Sequence, residues 1–232
     1  MSKHLINGQV NNIINQISHR EFDIHNILIY PSLNGFREIY SSFVKKHLVY
    51  DNRIVLFLTY YETVDKVREV LSSDGIGNSA KTKEDRTDNN NNNNNNNTMV
   101  ISEYEKEGSF IIKDGVEVYT SGPGNNNTML SLIEELVKRA ESLGKDGLAV
   151  IADLGPFYHH FDDIQKLVDY ELSLPPPQYD SKKLKGVCVY HKEDFEKRLT
   201  EEQKQKLLQH HRQAFIVEED GSEDNNQLTL TC

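Results

Sequence analysis

The sequence predicts an α/β protein built on a mainly parallel, doubly wound sheet with flanking helices and one hairpin. Three observations carry this. Short, almost wholly apolar runs recur along the chain, notably Ile24 to Tyr30, Arg53 to Tyr60, Gly147 to Leu154 and Leu184 to Tyr190. Such runs suit strands buried on both faces. Segments with apolar residues at helical spacing alternate with them, as βαβ units require. Pro31, Gly144 and Pro175 to Pro177 stand where elements should stop.

In chain order, Ile6, Val10, Ile13, Ile14 and Ile17 form one stripe of a first helix. A strand ends at Pro31, and Phe36, Ile39, Tyr40, Phe43, Val44 and Leu48 space out as the next helix. Arg53 to Tyr60 is the most apolar strand, followed by a helix through Val64, Val67, Val70 and Leu71. Ser109 to Tyr119 reads as a hairpin turning at Asp114-Gly115, a pair suited to a type I′ turn. Thr128 is placed to cap a helix whose face is Met129, Ile133, Leu136, Ala140 and Leu143, with Gly144 as its stop. The strand Gly147 to Leu154 follows, then a helix over Phe161 to Leu172 and the strand Leu184 to Tyr190. Lys192 to His211 is expected as helix and Ala214 to Val217 as a last strand.

Composition narrows both organisation and function. One domain is expected over residues 24–217, after an N-terminal helix in 1–23 and before a flexible acidic and polar tail, 218–232. A disordered insertion is expected at about 74–97. It ends in nine asparagines, Asn89 to Asn97, which offer no apolar area to offset the entropy of ordering. A net charge of −10 argues against a general binder of nucleic-acid backbones, which needs a basic face. Residues 1–24 hold no apolar signal-peptide core, and the run Ile54 to Tyr61 is too short to span a bilayer, so a cytoplasmic protein is expected with no membrane partner. Cys188 and Cys232 lie far apart in sequence and argue for no structural disulfide.

Candidate chemistry concentrates where strands end. The carboxyl edge of a parallel sheet is where ligands bind. Tyr30, Tyr60, Asp153 and Tyr190 fall at predicted strand ends, with Glu62 at the adjoining helix start and Arg37 after the first strand. Aromatic rings with polar tips suit a small organic ligand. His25 starts its strand and Tyr170-Glu171 closes a helix, which places them away from that edge. A phosphate-binding loop needs Gly-x-x-x-x-Gly-Lys-Ser/Thr after the first strand. The stretch Pro31-Ser32-Leu33-Asn34-Gly35-Phe36-Arg37-Glu38 has one Gly and no Lys-Ser/Thr pair. His159-His160 with Asp162-Asp163, and His191 with His210 and His211, are the two potential metal groups. Adjacent histidines diverge in direction and no Cys joins either group, so loop polarity and helix-end capping are expected, with no metal and no cofactor.

Taken in order, several segments resemble the MEDS domain, a sensory domain of methanogens, methylotrophs and a dichloromethane-responsive regulator, related to the RecA/KaiC-like P-loop ATPases. They are His25 with Ile27-Leu28-Ile29-Tyr30, Arg53 to Leu58, Gly108-Ser109-Phe110 leading to Tyr119, and Met129 with its helix. Gly147-Leu148 with the strand to Asp153, Tyr170-Glu171, Cys188-x-Tyr190, Phe195, and His210 or His211 complete the set. The Gly-Leu pair frequent in that family after the first long helix is Leu48-Val49 here. The resemblance implies a RecA/KaiC-like fold and a non-catalytic sensory or signalling module. It implies a small organic ligand and a signal passed to a protein partner or within a homo-oligomer. It also likens Asp153 to a Walker B aspartate and Glu62 to the catalytic carboxylate of KaiC-like ATPases. Two alternatives stay open: a nucleotide-binding or weakly hydrolysing KaiC-like relative, and a structural adaptor acting through protein contacts.

Overall fold

All strand pairs in the computed structural model are parallel, and they join six strands into one sheet among the described residues, which are 3–19, 25–74, 101–120, 126–174, 183–211 and 213–217. Apart from Asp74, the expected insertion lies outside them, as does the expected tail. The strands are β1 (Asn26–Tyr30), β2 (Ile54–Thr59), β3 (Phe110–Asp114), β4 (Leu148–Asp153), β5 (Leu184–His191) and β6 (Ala214–Ile216), and they lie in the order β3-β2-β4-β5-β1-β6. β1, β2 and β4 are buried at every position, which explains their unbroken apolar runs.

Helices cover both faces. The first face carries α1 (Lys3–His19), α2 (Leu33–Val44), α3 (Val64–Ser73) and α4 (Ile101–Glu107). Their Ile13, Ile17, Phe36, Phe43, Val67, Leu71 and Ile101 share a core with Leu28, Val55, Phe57, Ile151 and Val189. The second carries α5 (Gly115–Thr120), α6 (Asn126–Ser142), α7 (Gly155–His159), α8 (Ile164–Ser173), α9 (Lys192–Arg198) and α10 (Glu201–His210). Here Tyr119, Leu136, Phe157, Leu167, Phe195 and Leu207 pack on Ile27, Leu56, Val150 and Cys188. Alternate strand residues therefore feed opposite cores, the period-two consequence of the pleat. A doubly wound α/β fold is the result. No helix among the described residues is long and apolar enough to cross a membrane.

Four local expectations are corrected. Asp114-Gly115 turns no hairpin: β3 pairs parallel to β2 from Val55↔Phe110 to Thr59↔Asp114. Asp114 Oδ1 instead accepts from Val116 N at 2.7 Å, and Gly115 opens α5. Thr128 is no cap, because α6 already begins at Asn126. Lys192 to His211 is two helices, interrupted at Leu199-Thr200. Thr200 accepts from Gln203 N, and the Gln203 side chain accepts from Thr200 N, a reciprocal cap that starts α10. Glu62 precedes the helix start: Thr63 caps α3 by accepting from Lys66 N. Gly144 does end α6, at φ +66, with Lys145 N donating to Ala140 O at 2.9 Å.

Candidate functional site

The parallel sheet brings the ends of β1, β2, β4 and β5 to one edge, so Tyr30, Tyr60, Asp153 and Tyr190 share it at backbone level. The chain leaves β1 and β2 toward the first face and leaves β4 and β5 toward the second. Connections therefore diverge at β1/β5, β2/β4 and β2/β3, the switch points of the fold, where sheets of this kind bind ligands.

Side chains divide this group. Tyr30 pairs with His191 in register, and Tyr190 with Ile29. Tyr30 therefore stacks on Phe36 in the first core, with centroids 4.3 Å apart, and meets His191 at 5.4 Å. Tyr190 points through the second face and packs edge-on to Phe195 at 5.4 Å. The two tyrosines therefore face opposite cores, so the side chains expected to share a site are divided between the two faces of the sheet.

The segment that would grip phosphate is committed elsewhere. Ser32 caps α2: its Oγ accepts from Gly35 N at 3.4 Å and its carbonyl from Phe36 N at 3.0 Å. Arg37 is neither free nor simply solvated. Its Nε and Nη2 donate to Glu62 Oε1 at 2.8 and 2.6 Å, and Nη1 donates to Asn34 Oδ1 at 3.0 Å. Tyr40 donates to Glu62 Oε2 at 3.0 Å, so both oxygens of that buried carboxylate are engaged. Asp153 is fully buried and accepts from Gly155 N at 2.8 Å, Tyr60 N at 3.2 Å and Tyr61 N at 3.3 Å. Burial pushes its carboxyl up to about 7, although the three N–H donors act against this. It ties the β2 and β4 connections together, and a Cβ at Gly155 would strike the rings of Tyr60 and Tyr61.

Around Asp194 stands the constellation that remains open to solvent. Asp194, in the first turn of α9, accepts a hydrogen bond from the Tyr61 hydroxyl. His159 Nε2 lies 3.1 Å from the same oxygen and His191 Nδ1 3.8 Å from it. The His159 side chain is 38% exposed and that of His191 22%, while Tyr60 lies parallel to His159 with centroids 6.1 Å apart. Burial raises the Tyr61 hydroxyl well above its usual range, and its bond to Asp194 adds to this. The rim thus offers a hydrogen-bonding carboxylate, two imidazoles and aromatic surface at the carboxyl edge.

At the opposite edge a second cluster is closed. His25 immediately precedes β1, Glu171 ends α8, Cys188 lies inside β5 and His211 follows α10. All four are buried, and one donor atom from each lies within 4.8 Å of the others. His25 Nε2 is 3.0 Å and His211 Nε2 2.9 Å from Glu171 Oε2, while His211 Nδ1 is 2.7 Å from the Leu207 carbonyl. Burial would raise the Glu171 carboxyl, but His211 and His25 reverse this and hold it well below the usual carboxylate range. Burial pushes the Cys188 thiol up and His25 down.

No protein-family model matches the chain, and no curated protein shows significant similarity to it.

The two sequence-derived histidine groups are regrouped by the fold. His159 joins His191 at the carboxyl edge, while His210 and His211 meet His25 at the amino edge, the rings of His25 and His211 only 3.9 Å apart. Cys188 does join one of them. Tyr61 and Asp194 are not legible as site residues in the sequence, because a Tyr after another Tyr and an Asp in a helical first turn have ordinary explanations. No spacing rule links Asp194 to His159, 35 positions away. His25 and Glu171 do lie at the amino edge, as the element order predicts.

Proposed function

We propose that this chain is a non-catalytic sensory or signalling domain that takes a small organic ligand at the rim formed by Tyr60, Tyr61, His159, His191 and Asp194. The observation that carries the reading is the contrast along one edge. At the end of β1, where nucleotide-binding relatives of this architecture hold phosphate, the N–H groups of Gly35 and Phe36 are spent on Ser32 and Phe36 lies against Tyr30. Beside it, the switch point between β2 and β4 presents aromatic rings and polar tips around one carboxylate. The resemblance to MEDS domains supports the same function, with a protein partner or a second copy receiving the signal.

Native mass spectrometry of the purified full chain, followed by a thermal-shift screen of small organic compounds with and without ATP, tests this. The expected result is stabilisation by an organic ligand, lost in Tyr61→Phe and His159→Ala, with no sustained phosphate release from ATP. Phosphate release abolished by Glu62→Gln would replace the reading with a KaiC-like hydrolase.

A further inference from the structure

We propose that His25, Glu171, Cys188 and His211 form a closed, four-ligand site for one divalent metal ion, zinc above others, at the amino edge of the sheet.

The donor set is the first argument. Two imidazole nitrogens, one carboxylate oxygen and one thiolate sulfur are the ligand types zinc takes in tetrahedral sites. With metal–ligand distances of about 2.0 to 2.3 Å, neighbouring ligands of a tetrahedron stand about 3.3 to 3.7 Å apart. Here the donors already lie within 4.8 Å of one another, the closest at 2.9 and 3.0 Å, so changes in separation of about 1 Å or less bring them to tetrahedral spacing.

Hydrogen bonding supplies an independent argument. His211 Nδ1 sits 2.7 Å from the Leu207 carbonyl, so Nδ1 carries the proton and donates. Nε2 is then the nitrogen left to take a metal, and it faces Glu171 Oε2 at 2.9 Å. His25 Nε2 converges on that same oxygen. Two nitrogens and a carboxylate crowd one point, while Glu171 Oε1 and His25 Nδ1 are buried with no hydrogen-bond partner among the described residues. Buried polar atoms left in this way require a physical explanation, and an ion at the centre of the cluster supplies one for Glu171. An imidazole donating its far N–H to a backbone carbonyl is also the outer-shell arrangement that orients metal-ligating histidines.

Charge closes the account. Zn²⁺ with one thiolate, one carboxylate and two neutral imidazoles is electrically neutral, which suits a site whose members are at most 6% exposed. Binding forms the sulfur–zinc bond and releases the Cys188 thiol proton to solvent. All four positions are filled by protein, so the centre is structural and leaves no open position for a substrate or water. Its ligands lie just before β1, in α8, in β5 and just after α10, elements that the metal would staple together at the end opposite the rim.

The test uses the full chain carrying Cys232→Ser, to remove the other thiol. Metal analysis of protein purified without chelator should give one zinc per chain. After chelation, cobalt(II) should produce the intense visible bands of a tetrahedral site together with a thiolate-to-metal charge-transfer band. Cys188→Ser should abolish the charge-transfer band and weaken zinc binding by more than the ~100-fold that losing an outer-shell partner costs. Glu171→Gln should weaken binding while keeping that band. A folded parent chain that retains no zinc and gives only octahedral cobalt spectra overturns the proposal, whatever the variants do. A charge-transfer band surviving in Cys188→Ser overturns it as well.

Discussion

Tyr30 and His191 face each other across β1 and β5, ring centroids 5.4 Å apart, while Tyr190, one residue earlier, is on the other face of the sheet. That single step of the pleat decides which residue belongs to the rim. The Tyr190 hydroxyl is buried with no hydrogen-bond partner among the described residues. Tyr190→Phe is therefore expected to leave ligand binding at the rim unchanged and to stabilise the fold by about 1 kcal/mol, because an unsatisfied buried hydroxyl is removed at nearly constant shape. Chemical denaturation of the variant checks this, and a destabilisation above that size would show that the hydroxyl has a partner.

The same residues show how far sequence reading reaches. The strands were legible because a sheet covered on both faces demands unbroken apolar runs, and each run here is bounded by Pro, Gly or polar residues. The hairpin was misread because Asp-Gly serves equally as a turn and as a helix start, and only the parallel pairing of β3 with β2 separates the two. The break before α10 was present in the sequence as Thr200-Glu201-Glu202-Gln203, a capping pattern overridden by the helical charge pattern around it. The sites were less legible. Strand ends could be assigned to an edge, but side-chain faces depend on register, which the sequence does not display. The amino-edge cluster joins residues as distant as His25 and His211, a contact made by topology and not by spacing.

Asp153 is expected to act as a fastener. Asp153→Asn keeps one oxygen acceptor but turns an amide N–H₂ toward either Gly155 N or the pair Tyr60 N and Tyr61 N, setting donor against donor. A loss of about 1 to 3 kcal/mol is expected, the cost of leaving a buried donor unsatisfied. Denaturant melts measure it. An unchanged midpoint, with binding of an identified ligand lost, would instead make Asp153 a ligand contact.

Acid sensitivity should trace in part to Asp51. Burial works to raise its carboxyl, but the bonds from His47 and Lys46 more than reverse this and hold it at about 2, against an ordinary value of 3.8. His47 Nδ1 lies 3.0 Å away, and Lys46 forms an ion pair with it. A carboxyl depressed in the folded state adds stability that is fully present above the unfolded value and is lost as pH falls through the folded one. The contribution is about 2 kcal/mol, disappearing between about pH 4 and pH 2. Asp51→Asn should melt earlier than the parent at neutral pH and converge with it in that acid window. Parallel melting curves across the whole range would count against the assignment.

The last prediction concerns the rim. Tyr61 donates to Asp194, whose carboxylate is only 11% exposed, and its oxygen also lies 3.2 Å from His159 Nε2. In Tyr61→Phe that carboxylate loses its hydroxyl donor but keeps both imidazoles nearby, so a destabilisation of about 1 kcal/mol is expected. Asp194→Ala removes the common centre and should release His159 and His191 together. Histidine side-chain NMR can follow both rings: the ring resonances of both should be displaced in Asp194→Ala, while those of His47, in a separate contact with Asp51, stay where they were. If only one ring responds, Asp194 does not organise the rim, and the ligand reading loses the group that holds it together.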